Sequence, residues 1–136
     1  KIRWDNNTDL VTFSIPPAHK NVTAFTHVSI RISQTNGSLS NPVNLGQNLR
    51  IALKDGTNNE RAVRVNSFNV IPFPDQRPEV GTRKSAMVTV RIPLKSYTIV
   101  CAGQPQVNLA DITTLTLKFS ENGSGEIDID NVEFTN

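Results

Sequence analysis

Apolar and polar residues alternate with a period of two along almost the whole chain. Val11, Phe13 and Ile15 alternate with polar neighbours up to a break at Pro16-Pro17. Val28, Ile30 and Ile32 are interleaved with His27, Ser29, Arg31 and Ser33, and Leu49, Ile51 and Leu53 with Arg50, Ala52 and Lys54. The same rhythm runs through Val63 and Val65, through Val88, Val90, Ile92 and Leu94, and through Leu115, Leu117 and Phe119. This is the mark of half-buried strands, and no segment carries a sustained helical stripe. The pattern predicts an all-β protein.

The strands are punctuated by turn chemistry: Asn36-Gly37-Ser38, Asn41-Pro42, Asp55-Gly56, Asn58-Asn59 and Asn122-Gly123-Ser124-Gly125. Stretches 34–47 and 72–81 read as the two long loops. Two phase errors predict bulges. Ile127 and Ile129 share a face, yet Val132 and Phe134 come one residue late, which a bulge at Asp130-Asn131 would correct. A similar slip from Val63 and Val65 to Phe68 and Val70 predicts another near Ser67. Many strands of similar length without an internal repeat predict a two-sheet antiparallel β-sandwich, closed by Greek-key or jelly-roll crossings. The expected core is Phe13, Ile15, Val28, Ile30, Ile32, Ile51, Leu53, Val63, Val65, Val90, Ile92, Leu115, Leu117, Phe119, Ile127, Ile129, Val132 and Phe134.

At 136 residues the chain fits one domain spanning 1–136, with no composition break. It opens on Lys1 rather than Met, so it is expected to be a module excised from a longer protein. Net charge is +2 and aromatics make up 6%, which argues against nucleic acid as a partner. No apolar run approaches the ~18 residues of a spanning helix, so no membrane partner is expected. Cys101 stands alone, excluding an internal disulfide and a cysteine-based zinc site, and reads as a small buried hydrophobe.

Catalytic signatures are missing. His19 and His27 fall in no nucleophile-elbow, zincin or phosphate-loop pattern. The carboxylates Asp128, Asp130 and Glu133 crowd one strand, as surface acids commonly do. Sequons at Asn6, Asn21, Asn36 and Asn122 are about as frequent as this Asn-, Ser- and Thr-rich composition produces by chance. The outward strand positions carry Arg31, Arg50, Lys54, Arg64, Arg91 and Lys118, either as a solvated, edge-protecting face or as a face whose guanidinium groups bond sugar hydroxyls and uronate carboxylates. Trp4, Phe73 and Tyr97 are the aromatics placed to be exposed and to stack on a sugar ring, though each is equally suited to anchor a core or loop.

Several runs resemble one family in order. They are Phe25-Thr26-His27-Val28-Ser29-Ile30-Arg31-Ile32, Leu53-Lys54-Asp55-Gly56, Arg91-Ile92-Pro93-Leu94-Lys95-Ser96-Tyr97 and Leu115-Thr116-Leu117-Lys118-Phe119, closed by Gly125-Glu126-Ile127-Asp128-Ile129-Asp130-Asn131-Val132-Glu133-Phe134. Spanning most of residues 23–136, they resemble the galactose-binding-domain-like jelly rolls, which include carbohydrate-binding accessory modules of secreted bacterial hydrolases. The resemblance implies a secreted, non-catalytic module that tethers a covalently linked catalytic domain to a polysaccharide, with the basic character favouring an acidic glycan. It also implies a structural calcium ion held by Asp130, with Asp5 as the available N-terminal acid; otherwise Asp130 is a bulge aspartate bonded to nearby backbone N–H groups. The expected ligand-binding residues are Arg50, Arg64, Arg91, Tyr97 and Trp4. A structural or protein-interaction jelly roll without a glycan site is the competing reading, and an enzyme on this scaffold a third.

Overall fold

The computed structural model describes residues 1–77, 82–100, 103 and 105–136; Cys101 lies outside them. The strands are β1 (Ile2–Trp4), β2 (Leu10–Ser14), β3 (His27–Gln34), β4 (Arg50–Asp55), β5 (Glu60–Arg64), β6 (Asp75–Arg77), β7 (Thr82–Lys84), β8 (Val88–Pro93), β9 (Ile112–Lys118) and β10 (Gly125–Thr135). Sheet A runs β1-β10-β3-β8 and sheet B runs β2-β9-β4-β5, while β6 and β7 pair as a separate hairpin. Every pairing is antiparallel. The expected all-β, two-sheet sandwich is what the chain forms.

The core sits where the alternation placed it. Val28, Ile30, Ile32, Val90, Ile92 and Ile127 from sheet A meet Ile51, Leu53, Leu115, Leu117 and Phe119 from sheet B, all buried. The register of β10 against β3 slips between Ile129 and Asn131, so the bulge restores Val132 opposite Ile30 and Phe134 opposite Val28. The other expected bulge is corrected: β5 ends at Arg64 and a 3-10 turn, Val65–Ser67, carries the chain away, leaving Phe68 and Val70 exposed. Phe13 also departs from expectation, at 41% exposed, because β2 is an edge strand with no described strand beyond it.

Loop 35–49 forms no named strand and is tied down by buried amides instead. Asn41 Nδ2 donates to the Glu126 carbonyl at 2.9 Å while its Oδ1 accepts from Glu126 N–H at 2.7 Å and from Gln47 Nε2 at 3.0 Å. Gln34 Nε2 donates to the carbonyls of Leu45 at 2.9 Å and Ile71 at 3.2 Å. Backbone groups that no ladder satisfies are thereby paired inside. Asp55 does the same for the β4–β5 turn. Its buried carboxylate accepts from the N–H groups of Thr57, Asn59 and Asn108 at 2.9, 3.0 and 2.9 Å. Gly56 follows because a Cβ there would strike the Asp111 carboxylate.

Candidate functional site

The outer face of sheet B is built by cross-strand register. One row reads Leu10, Lys118, Arg50, Arg64; the next reads Thr12, Thr116, Ala52, Ala62; the third reads Ser14, Thr114, Lys54, Glu60. Small side chains therefore floor the middle of the face, and long charged ones stand around it. Thr12 and Thr116 share a hydroxyl–hydroxyl hydrogen bond of 3.0 Å across the floor. Lys118 pairs with Glu60, spanning the buried Ala52 between their strands. Among the described residues Lys54, Arg50, Arg64 and Lys118 face Glu60 and Glu121, so the face carries excess positive charge.

At the end of this face Arg50 and Arg64 converge on one carboxylate, Glu121, which binds Arg50 Nε and lies 3.1 Å from Arg64 Nε. Burial works to raise the Glu121 carboxyl, but hydrogen bonds and charge from Arg50 and then Arg64 outweigh it and hold the group below the usual carboxylate range. Two guanidinium groups fixed by one acid are thus held in a set geometry rather than waving in solvent. Beyond Glu121 lies a shallow cavity of about 650 Å³ lined by Ser40, Asn41, Asn122 and Ser124 together with the apolar Leu39, Val43 and Leu45. The sequence carried no direct sign of Glu121, which sits in a turn marked only by Asn122-Gly123.

A second feature is a lateral cleft of about 510 Å³ between the β10 edge of sheet A and the β2 edge of sheet B. Its walls are Phe13, Ile15, Leu115, Ile129, Val132 and Phe134. His19, Asp130 and Glu133 stand at its rim, where Asp130 is engaged by Arg31, and among the described residues no three potential metal ligands cluster.

Several expected site residues are corrected. Trp4 is buried, its ring stacked on Phe119 and its Nε1 donating to the Asn122 carbonyl at 3.2 Å. Tyr97 is fully buried, donating to the Ile51 carbonyl at 3.2 Å, and burial pushes its hydroxyl far above the usual phenol range. Neither ring can reach a sugar. Phe73 is half-buried. Arg91 lies opposite Ser29 on the outer face of sheet A, so it stands on the other side of the sandwich from Arg50 and Arg64 and bonds the Asn136 carbonyl.

The residues offered for calcium do not fit the ion. Asp130 projects at the bulge but is held by Arg31 at 3.0 Å, a guanidinium where a cation would have to sit. Asp5 is paired with Arg3 at 3.3 Å, just past the Trp4–Gly125 pair, roughly 20 Å along the sheet from Asp130 at the usual strand rise. Among the described residues no three potential acid, His or Cys ligands cluster.

No protein-family model and no curated protein matches the sequence. Solved structures do match by shape. One is a family 11 carbohydrate-binding module from Clostridium thermocellum in complex with a β-1,3-1,4-mixed-linked tetrasaccharide, with a TM-score of 0.59 and 16% identity over 98% of this chain and 72% of that one. Another is the family 11 module of a cellulosomal cellulase of the same organism, with a TM-score of 0.58 and 16% identity over 98% and 71%. At such identity the likeness is one of fold, and the fold of this chain is the two-sheet antiparallel jelly roll found in family 11 carbohydrate-binding modules.

Proposed function

We propose that the domain is a non-catalytic carbohydrate-binding module that keeps a covalently linked, secreted hydrolase at its polysaccharide. The observation that carries the reading is the outer face of sheet B. There Arg50 and Arg64, set by Glu121, border a floor of small residues on a fold that carbohydrate-binding modules use. None of the cross-strand positions on that face is aromatic, so a sugar chain would be held by hydrogen bonds and charge rather than by stacking. Guanidinium pairs bind planar carboxylates best, which favours a uronate-containing glycan over a neutral one. Binding would be weak, because sugar hydroxyls exchange water for protein partners at small net gain.

The test is affinity electrophoresis and pull-down on a panel of neutral and acidic polysaccharides. Retardation on an acidic glycan, lost in a folded Arg64→Ala variant, supports the reading. No retention on any member of the panel moves the assignment to a protein-interaction module, which the exposed Leu39, Val43 and Leu45 favour.

A further inference from the structure

Glu121 faces two ways. Its carboxylate fixes Arg50 and Arg64 on the sheet B face, and the same residue lines the shallow cavity between loop 35–49 and the 121–124 turn. Neither chain end lies at this turn. β1 reaches it through Trp4, opposite Gly125, with its N-terminal side directed along β10 towards Asp128, and Thr135 stands opposite His27 at the far end of that strand.

The lining divides into two kinds of surface. Leu39, Val43 and Leu45 hold aliphatic side chains out in solvent, Leu39 fully so, and such a cluster gains free energy when a ligand covers it. Beside them stand the half-buried hydroxyls of Ser40 and Ser124. Ser124 Oγ donates its one proton to the Ser40 carbonyl at 3.1 Å, so its oxygen is left to accept. Ser40 Oγ bonds to none of the described residues, so its proton is left to donate.

One donor, one acceptor and an aliphatic wall are the complement of a secondary amide that carries a methyl group. An acetamido group offers its carbonyl to Ser40, its N–H to Ser124 and its methyl to Leu39 and Val43. An acetyl ester would leave Ser124 without a donor, and a bare hydroxyl would leave the aliphatic wall in water. We propose that this cavity is the subsite for the acetamido group of a hexosamine that neighbours a uronate on the Arg50–Arg64 pair. The inference rests on the acidic-glycan reading above and narrows it to polymers in which uronate and N-acetylhexosamine adjoin.

The experiment measures binding of the 136-residue chain by affinity electrophoresis and calorimetry to three polymers. They are hyaluronan, in which glucuronate alternates with N-acetylglucosamine; a polyglucuronate, which has the acid alone; and hyaluronan whose acetyl groups are replaced by formyl, which keeps charge and amide but lacks the methyl. Hyaluronan should bind about tenfold more tightly than polyglucuronate, from one hydrogen-bonded amide and one covered methyl, and about threefold more tightly than the formyl polymer. The double variant Leu39→Ser/Val43→Ser, altered only at exposed positions, should bind hyaluronan no better than polyglucuronate while its hold on polyglucuronate is unchanged. Ser40→Ala should weaken hyaluronan alone. Equal affinity for hyaluronan and polyglucuronate, with both lost in Arg64→Ala, would overturn the subsite and leave the acidic-glycan reading standing. A preference for hyaluronan that survives Leu39→Ser/Val43→Ser would place the acetamido group elsewhere and overturn it too. Failure to bind any of the three overturns both.

Discussion

The ring of Trp4 lies against that of Phe119, with centroids 4.2 Å apart and planes 14° from parallel. One comes from the first strand of sheet A and the other follows β9 of sheet B, so this stack joins the two sheets near the N-terminus. Gly125 makes room for it, because a Cβ there would collide with the Trp4 ring and the Gln47 amide.

Trp4→Ala should therefore cost about 3–5 kcal/mol, as large-to-small core changes do, with a matching fall in the urea midpoint. Gly125→Ala should destabilise as well, by displacing the same ring. Trp4 is the single tryptophan of the chain, so its emission should report unfolding yet stay unchanged on adding a polysaccharide that binds. A glycan-dependent emission shift would count against the placement of the site on sheet B.

Asp55 should be a source of acid sensitivity. Burial tends to raise its carboxyl, but the N–H of Asn108 and the donors of Thr57 and Asn59 outweigh that and hold it below the usual range. A depressed folded value means the stabilisation is present above the unfolded value near pH 4 and is lost as pH falls through the folded one. Asp55→Asn should cost about 2–3 kcal/mol at pH 7, because an amide cannot accept from all these donors. Urea unfolding at several pH values checks this: the gap between the two proteins should narrow as the pH falls below about 4.

On the glycan face the two arginines should act together. Retention on an acidic polysaccharide should fall with Arg50→Ala or Arg64→Ala and weaken as salt rises, since partly exposed charges are screened. Arg91→Ala, altered on the far sheet, should leave retention unchanged in the same gel. Glu121→Gln frees both guanidinium groups from their shared acid. It should alter affinity without abolishing it, distinguishing a positioning residue from a contact.

Calcium should leave the thermal midpoint where a chelator leaves it. Asp130 is engaged by Arg31, and Asp5 is too distant to join it. A bound ion stabilises the state that binds it, so a midpoint raised by calcium would refute this arrangement.

Much of the fold was legible because strand periodicity is a local property: Ile30 and Ile32 face inward for the same reason that Arg31 faces out. The bulge at Asp130 could be read for the same reason, since a one-residue slip inverts every later side chain. The site was less legible because it depends on strand order. Arg50, Arg64 and Arg91 all alternate outward, yet only the pairing of β4 with β5, and of β8 with β3, separates them onto two sheets. Trp4 and Tyr97 misled for a different reason. Each looked peripheral in the chain, but each has a polar tip that finds a carbonyl inside, Asn122 for one and Ile51 for the other. Glu121 had no pattern to announce it.

The position of β10 within sheet A bears on biosynthesis. The strand that lies between β1 and β3 follows both of them, and β8 as well, in the sequence, so neither neighbour has that partner until residues 125–135 have emerged from the ribosome. Vectorial, strand-by-strand folding is therefore closed to this sheet. The nascent chain must hold β1 and β3 unpaired on the sides that β10 will fill, and complete the sheet only after release or with a following segment to clear the exit tunnel.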